Sequence, residues 1–162
     1  MARGACLALV LALAAGCGFH LQGRAKLPPA MKTPYLEAPD RQTDFVQSLR
    51  HDLLSNGAHL APEKADASAI VSILKDSVTR RVISVSAINQ PNEYEVSYTV
   101  TVSVSSVTSP STQLIAPQEL TEVRTYSFSE PLLLAKGHEE DTLKVDMARD
   151  LAERVMRLLA SL

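Results

Sequence analysis

The sequence has no tryptophan, only 2 cysteines, and aromatic residues at 4% of its length. Its charges nearly balance, with 16 basic residues against 18 acidic ones, and the basic residues form no run or stripe. Because a protein whose main partner is nucleic acid carries a basic patch, this balance argues against that class. No apolar stretch reaches the roughly eighteen residues that a membrane-spanning helix needs, so no such helix is predicted.

The N-terminal segment combines a basic start at Arg3 with an unbroken apolar run from Ala5 to Ala15. The run is too short to span a bilayer as a helix and is typical of a signal peptide. It ends in small residues directly before Cys17, which is what a lipoprotein signal peptidase requires. This motif resembles the bacterial lipobox, although Ala14 stands where leucine is usual. We therefore predict a leader over residues 1–16 and lipid attachment at Cys17; the alternative is an ordinary secretory signal followed by a chance cysteine.

The two cysteines fit a lipid anchor better than a disulfide. Cys6 would be removed with the leader, and Cys17 would carry the lipid as the first residue of the mature chain. The mature chain is then expected to have neither a free thiol nor a disulfide. Each acyl methylene group buried in a bilayer contributes about 0.8 kcal/mol, so two or three chains would hold the protein at a membrane on cellular timescales.

Residues 17–162 are predicted to form one domain with an irregular lead-in over 17–34, which is rich in glycine and proline. Apolar periodicity predicts two amphipathic helices, over 41–55 and 139–159. β-rich and alternating patterns predict strands over 35–38, 69–85, 93–107 and 119–129. The clearest strand is 93–107, where apolar residues from Tyr94 to Val104 alternate with serine, threonine and glutamate.

This order of elements predicts an α+β fold. The three later strands are close in sequence and are expected to pair antiparallel, giving a mostly antiparallel sheet of about four strands. Two amphipathic helices can cover one face of that sheet, which makes a two-layer sandwich. The opposite face is then rich in serine, threonine and glutamate.

The sequence gives no sign of catalytic chemistry. No pair among the four histidines and two cysteines has zinc-site spacing, and no nucleotide-binding or serine-hydrolase motif occurs. Glu139, Glu140 and Asp141 form a carboxylate cluster that could attract calcium. At the predicted start of a helix they are better explained as partners of the helix dipole. We predict no catalytic residue, no cofactor and no metal site.

Several short segments resemble one known family, the lipopolysaccharide-assembly lipoproteins LptE. The chain has Cys-Gly-Phe-His-Leu-Gln-Gly at 17–23, Met-Lys-Thr-Pro-Tyr-Leu at 31–36 and Leu-Ala-Lys at 134–136. The last predicted helix adds its acidic start and Met-Ala-Arg-Asp-Leu-Ala at 147–152. The resemblance covers nearly all of the mature chain in the same element order. One departure is Gln22, where family members often have arginine.

The resemblance implies a lipid-anchored protein of the Gram-negative outer membrane that faces the periplasm. It implies that the protein plugs the lumen of a large β-barrel partner, LptD, assists folding of that barrel, binds lipopolysaccharide during its insertion into the outer leaflet, and catalyses no reaction.

Basic residues are expected to contact the phosphates of lipopolysaccharide. Lys136 matches the family's Leu-Ala-Lys position and is the best candidate. The family's basic position near the middle hairpin falls at about Ala87, which is uncharged; Arg80 and Arg81 lie nearby and could substitute. Because neighbouring residues of a strand point to opposite faces, at most one of this pair would reach a given ligand. The alternative is that all three are ordinary solvated charges.

Two other classes of function remain open at this point. A lipoprotein activator of a periplasmic cell-wall enzyme would share the anchor, the size and the α+β pattern. A small periplasmic hydrolase is the third possibility. The partner recovered by crosslinking distinguishes the first from a barrel plug, and activity that depends on one serine, histidine or aspartate would indicate the hydrolase.

Overall fold

The computed structural model describes residues 27–109, 112–127 and 133–162, with side chains from residue 140 onward in the last of these ranges. The predicted leader, the predicted lipid site at Cys17 and the side chain of Lys136 lie outside the described residues.

The elements follow the predicted order of strand, helix, three strands and helix. They are strands β1 (Pro34–Glu37), β2 (Ala69–Val85), β3 (Pro91–Ser106) and β4 (Gln113–Ser127), and helices α1 (Asp44–Ser55) and α2 (Leu133–Ala160). The sheet order is β1-β2-β3-β4. β1 runs parallel to β2, whereas β3 is antiparallel to both of its neighbours, so the sheet is mixed but mostly antiparallel. The predicted α+β fold class is confirmed.

Helix α1 has sequence signals at both ends. Thr43 precedes its first turn, and its hydroxyl accepts a hydrogen bond from the backbone N–H of Val46 at 3.3 Å. This is an N-cap, which satisfies one of the free N–H groups at the start of a helix. The helix stops at Asn56 and Gly57, and Gly57 has φ +89°, a conformation that side chains disfavour.

The core lies between one face of the sheet and the two helices. The alternation predicted for β3 is confirmed from Val96 to Val104, where every second side chain is buried. These side chains pack with Phe45 and Leu49 of α1 and with Met147 of α2, among others. Hydrophobic burial of this kind contributes about 25 cal/mol per Å² of apolar surface and is the main force that holds the two layers together.

Three details differ from the sequence-based expectation. Leu54 fits the apolar periodicity of the helix predicted over 41–55 but is 48% exposed, because it lies at the edge of the buried stripe near the helix end. β4 begins at Gln113 and passes through Pro117, which falls at a register shift between Val102 and Val104 of β3. An edge strand tolerates proline at such an irregularity, whereas a central strand would lose a ladder hydrogen bond.

The third difference is the start of α2, which begins at Leu133 and not at residue 139. Residues 133–136 are Leu, Leu, Ala and Lys, which are good helix formers, and the helix continues through Gly137. Glu139, Glu140 and Asp141 are therefore in the second and third turns of the helix. The prediction that they are partners of the helix N-terminus is wrong for this reason.

Candidate functional site

Strands β2 and β3 form a long hairpin whose far end extends beyond the buried core. The turn over 86–90 is closed by a hydrogen bond from the Ser86 N–H to the Gln90 carbonyl at 2.7 Å. Asn89 takes the left-handed conformation with φ 60°, which asparagine tolerates better than most residues. We call residues 78–94 the hairpin end. Its aliphatic side chains are exposed, including Val82 at 45% and Ile88 at 74%.

Arg80 lies on the helix-facing side of the hairpin end, opposite Val96 of β3. Its Nη1 is 2.8 Å from Oε2 of Glu140 on α2. Its guanidinium carbon lies 4.7 Å from the centroid of the Tyr94 ring, a distance at which a cation is attracted to the ring face. Arg80 therefore joins the far part of the hairpin to the early part of α2.

Two tyrosines extend this contact. Tyr94 and Tyr126 occupy directly paired positions on β3 and β4, and their rings stack with centroids 5.5 Å apart. The Tyr126 hydroxyl donates a hydrogen bond to Oε2 of Glu140 at 2.5 Å, and Nζ of Lys144 lies 2.8 Å from Oε1 of the same carboxylate. We call Arg80, Tyr94, Tyr126, Glu140 and Lys144 the arginine–tyrosine cluster.

Glu140 is the centre of this cluster, and its side chain is only 16% exposed. Burial alone raises the pKa of a carboxyl group, but hydrogen bonds from Lys144, Tyr126 and Arg80 outweigh burial and lower the pKa of Glu140 to about 2. The carboxylate is thus fully ionised at neutral pH. In the same way, the hydrogen bond to Glu140 raises the pKa of Lys144, which stays protonated.

The cluster contains two cations and one carboxylate, and a second carboxylate, that of Asp141, lies 3.6 Å from Lys144. Lys136 is in α2, one helical turn before Glu140, and a spacing of four residues puts two positions on the same helix face. The structure thus brings the backbone position of Lys136 near the cluster that contains Arg80. The side chain of Lys136 is outside the described residues.

Arg81 points the other way. It pairs with Glu95 on the face of the sheet opposite the helices, through Nε at 2.6 Å and Nη2 at 3.0 Å. The predicted placement of Arg80 and Arg81 on opposite faces therefore agrees with the structure. Arg81 is already bound to a carboxylate and is 71% exposed. Ala87, at the family's basic position, lies exposed in the hairpin turn.

The face of the sheet away from the helices is mostly polar, with Val123 of β4 as an exposed aliphatic side chain. We call this face the open face. The hydroxyls of Thr99 and Thr121 are 3.0 Å apart across β3 and β4, and Lys75 pairs with Glu119 at 3.2 Å. Its charges are largely matched by partners on neighbouring strands, and serine and threonine fill most of the positions between them.

Sequence reasoning did not identify Tyr94, Tyr126 or Glu140 as part of a site. Tyr94 was expected to be a core residue, and Glu140 was expected to serve the helix dipole. Tyr94 and Tyr126 could be placed beside Arg80 only if the register of β2, β3 and β4 were known. That register depends on bulges in β2 and β4. Such irregularities have no clear sequence pattern.

The described residues contain neither a cluster of metal ligands nor a membrane-spanning helix. Among the described side chains, those of 27–109, 112–127 and 140–162, no group of three histidine, cysteine, aspartate or glutamate residues is placed to hold a metal ion. In the same ranges, no helix has both the length and the apolar character needed to cross a membrane.

The chain is similar to known proteins along most of its length. It is 28% identical over 159 residues to the LPS-assembly lipoprotein LptE of Pectobacterium atrosepticum, a match that covers 96% of this chain and 83% of that protein. It is also 28% identical over 156 residues to the LPS-assembly lipoprotein LptE of Yersinia enterocolitica, covering 94% and 72% respectively.

Solved structures share the fold. Lipoprotein B from Nitrosomonas europaea has a TM-score of 0.73 at 25% identity, with 89% of this chain and 91% of that chain covered. Rare lipoprotein B from Shewanella oneidensis has a TM-score of 0.68 at 23% identity, with 80% and 94% covered. The fold is thus one that bacterial envelope lipoproteins adopt.

Residues 31–159 match the family model LptE, described as lipopolysaccharide-assembly. The chain belongs to the LptE family, which confirms the resemblance seen in the sequence. Its role is in lipopolysaccharide assembly.

Proposed function

We propose that the mature chain is a lipid-anchored subunit of the machinery that inserts lipopolysaccharide into the outer membrane. In this proposal residues 1–16 are a leader, residues 17–162 form the mature domain with a tether over 17–34, and Cys17 carries the lipid. The anchor holds the protein on the periplasmic side of the outer membrane, within the lumen of the LptD β-barrel. The chain acts by binding and by assisting barrel assembly, without catalysis or a cofactor.

The observation that carries this proposal is the pairing of cations with exposed aliphatic side chains at one end of the molecule. Arg80 and Lys144 are held together at Glu140, and Val82 and Ile88 are exposed in the adjacent hairpin end. Lipopolysaccharide combines phosphates with acyl chains, so its recognition requires both kinds of contact. Arginine is well suited to phosphate because its planar donors bind two oxygens at once.

Glu140 competes with a phosphate for the hydrogen-bond donors of Arg80 and Lys144. Its carboxylate already occupies donors of Arg80 and Lys144, so a phosphate must displace it or bind the remaining donors. Lys136 lies one turn earlier in α2, and in this proposal it contributes a further cation. We propose Lys136 and Arg80 as the lipopolysaccharide contacts. Arg81 points to the opposite face and is the less suitable candidate.

The open face supports the proposal that the protein lies within a barrel. The lumen of a large outer-membrane barrel is polar and hydrated. A protein that fills such a lumen needs an exterior that forms hydrogen bonds and a core that stays dry. The hydroxyl-rich open face, backed by a fully apolar core that contains Val100 and Val102, has these properties.

The test is binding of purified lipopolysaccharide to the full chain in detergent at low ionic strength. We expect Arg80→Gln and Lys136→Asp each to weaken binding by about fivefold, which corresponds to about 1 kcal/mol of binding free energy. Arg157→Gln is the matched control, because Arg157 pairs with Glu153 on the same helix in the same i,i+4 arrangement as Lys144 and Glu140. Equal losses of affinity per unit of charge, two units for Lys136→Asp and one for each of the other substitutions, would mean that net charge alone governs binding. Unchanged affinity in Arg80→Gln and Lys136→Asp would remove this site.

A further inference from the structure

A cavity of about 340 Å³ lies beside the outer edge of β1, on the side of the molecule where α1 begins. Its apolar lining includes Leu36, Val46 and Leu60, and its polar lining includes Arg41, Gln47 and Arg50. No aspartate or glutamate is among its lining residues. The groove between the two helices differs in this respect, because carboxylates of Asp44, Asp52 and Glu153 line it.

The two arginines of this cavity differ from the other described arginines in their lack of a salt-bridge partner. Arg80, Arg81, Arg124, Arg149, Arg154 and Arg157 each have a carboxylate within salt-bridge distance. Within the part of the chain that the structure describes, neither Arg41 nor Arg50 has such a partner. The arginines that lack an internal counter-charge thus line one cavity, which is a place for an external anion.

Arg41 is oriented by its neighbours. Its Nη2 donates a hydrogen bond to the Tyr35 hydroxyl at 2.8 Å, and its guanidinium carbon lies 5.6 Å from the centroid of the Tyr35 ring. The side-chain amide of Gln47 donates to the Arg41 carbonyl at 2.6 Å, which fixes the backbone before α1. A guanidinium has five N–H donors, so Arg41 keeps donors for a ligand after the bond to Tyr35.

The same cavity borders an unoccupied stretch of backbone at the edge of the sheet. The carbonyls of Lys32 and Pro34 accept hydrogen bonds from the N–H groups of His59 and Ala61, at 2.8 Å and 3.0 Å, on the outer side of β1. Because a strand alternates, the N–H and carbonyl of Leu36 point to this same side. Among the described residues, no backbone bond of this kind continues to Leu36.

We propose that this cavity, here called the β1 pocket, binds an extended peptide segment of a partner protein. The segment adds to the outer edge of β1 at Leu36 and places an aspartate or glutamate carboxylate against Arg41 and Arg50. It buries a neighbouring aliphatic side chain on Leu36 and Leu60, the partly exposed apolar residues of the lining. This is recognition by strand addition, in which main-chain hydrogen bonds give affinity and side-chain pockets give specificity. The site is separate from the arginine–tyrosine cluster, because it lies on β1 and α1.

A free phosphate would use only the arginines. It has no backbone to pair with Leu36 and no apolar group for the surface formed by Leu36 and Leu60. An extended peptide with one acidic and one aliphatic side chain uses all three features of the β1 pocket. The peptide is therefore the occupant that the lining favours.

In the test, a library of short random peptides is passed over the immobilised full chain, and the peptides that bind are identified. The selection is repeated on three forms of the protein. These are the wild type, Arg41→Gln/Arg50→Gln, and Arg149→Gln/Arg157→Gln. The last form is the matched control, because it removes the same formal charge from two exposed arginines of α2. We expect the wild type and the control to enrich peptides in which an acidic residue lies close to an aliphatic one. We expect the first double variant to lose this enrichment.

A selected peptide is then titrated beside its Glu→Gln or Asp→Asn version. The proposal predicts an affinity loss of about tenfold for the neutral version, since one charge-assisted pair contributes on the order of 1.4 kcal/mol. It also predicts a shift of the Leu36 amide resonance on binding. The proposal is overturned by the absence of enrichment, by equal enrichment on all three forms, or by inorganic phosphate binding as tightly as the peptide.

Discussion

Arg80 and Glu140 are sixty residues apart in sequence, and a 2.8 Å contact between Nη1 and Oε2 joins them across the two layers of the fold. This contact connects the exposed hairpin end to the early turns of α2. It also means that the cation most suited to a phosphate is occupied by a carboxylate in the structure. We therefore expect the strength of this pairing to affect the local stability and, under the proposed function, the affinity for lipopolysaccharide.

Glu140→Gln is the first prediction, because it removes the carboxylate that competes with a phosphate. We expect the affinity of the full chain for lipopolysaccharide to rise, since Arg80 loses its carboxylate partner and Lys144 keeps only the longer contact to Asp141, at 3.6 Å. We expect the free energy of unfolding to fall by about 1–2 kcal/mol, which is typical for the loss of hydrogen bonds to a charged group. Binding and denaturant unfolding of the same preparation measure the two effects. A lower affinity would show that Glu140 positions the cations and does not compete with the ligand.

The second prediction concerns pH. The pKa of Glu140 lies below the ordinary value of 4.5, at about 2, so its ionised form is stabilised by folding. That contribution is complete above pH 4.5 and is lost as the pH falls from 4.5 to about 2. The difference in unfolding free energy between the wild type and Glu140→Gln should therefore shrink over this range. If the difference in unfolding free energy stayed constant down to about pH 2, it would contradict the hydrogen bonds assigned to Glu140.

The third prediction compares two leucines of α1. Leu49 is fully buried in the core, whereas Leu54 is about half exposed. Leu49→Ala should lower the free energy of unfolding by about 2–5 kcal/mol, because it removes buried surface and leaves a cavity. Leu54→Ala should change it by about 0.5 kcal/mol or less, as for other exposed positions. Denaturant unfolding of both variants gives the comparison, and similar costs for both would mean that α1 is rotated from its described position.

The fourth prediction concerns the anchor. Cys17→Ala should abolish metabolic labelling with palmitate and release the protein from the membrane fraction. The reason is that acyl chains contribute about 0.8 kcal/mol per buried methylene group, which no other predicted feature of the chain replaces. Cys6→Ala is the control, because Cys6 lies in the proposed leader. Continued labelling of the Cys17 variant would refute lipid attachment at that residue.

Much of the fold could be predicted from the sequence because its patterns are local. The alternation in β3 and the apolar stripes of both helices identify the buried faces without further information. The start of β4 could not be predicted in this way, because Pro117 argues against a strand unless the strand is at an edge. The start of α2 was missed because the acidic residues resembled the beginning of a helix.

The candidate site was only partly predictable for a different reason. Arg80 was identified because it is basic and lies near the position at about Ala87 where the family resemblance implies a basic residue. Its partners Tyr94 and Glu140 depend on strand register and on the packing of α2 against the sheet, which are long-range properties. The β1 pocket likewise depends on segments that are distant in sequence, because residues 60–62 lie beside β1 and the start of α1.

Photo-crosslinking in living cells tests most directly whether the open face lies inside a barrel. Val123 is exposed on this face, in β4, and can be replaced by a photoreactive amino acid in the full-length lipoprotein. A position on α2 that projects away from the sheet, such as Arg157, serves for comparison. The proposal predicts that irradiation links position 123 to a large outer-membrane β-barrel, which is LptD. Recovery of an uncrosslinked monomer, or of a cell-wall enzyme in place of the barrel, would contradict it.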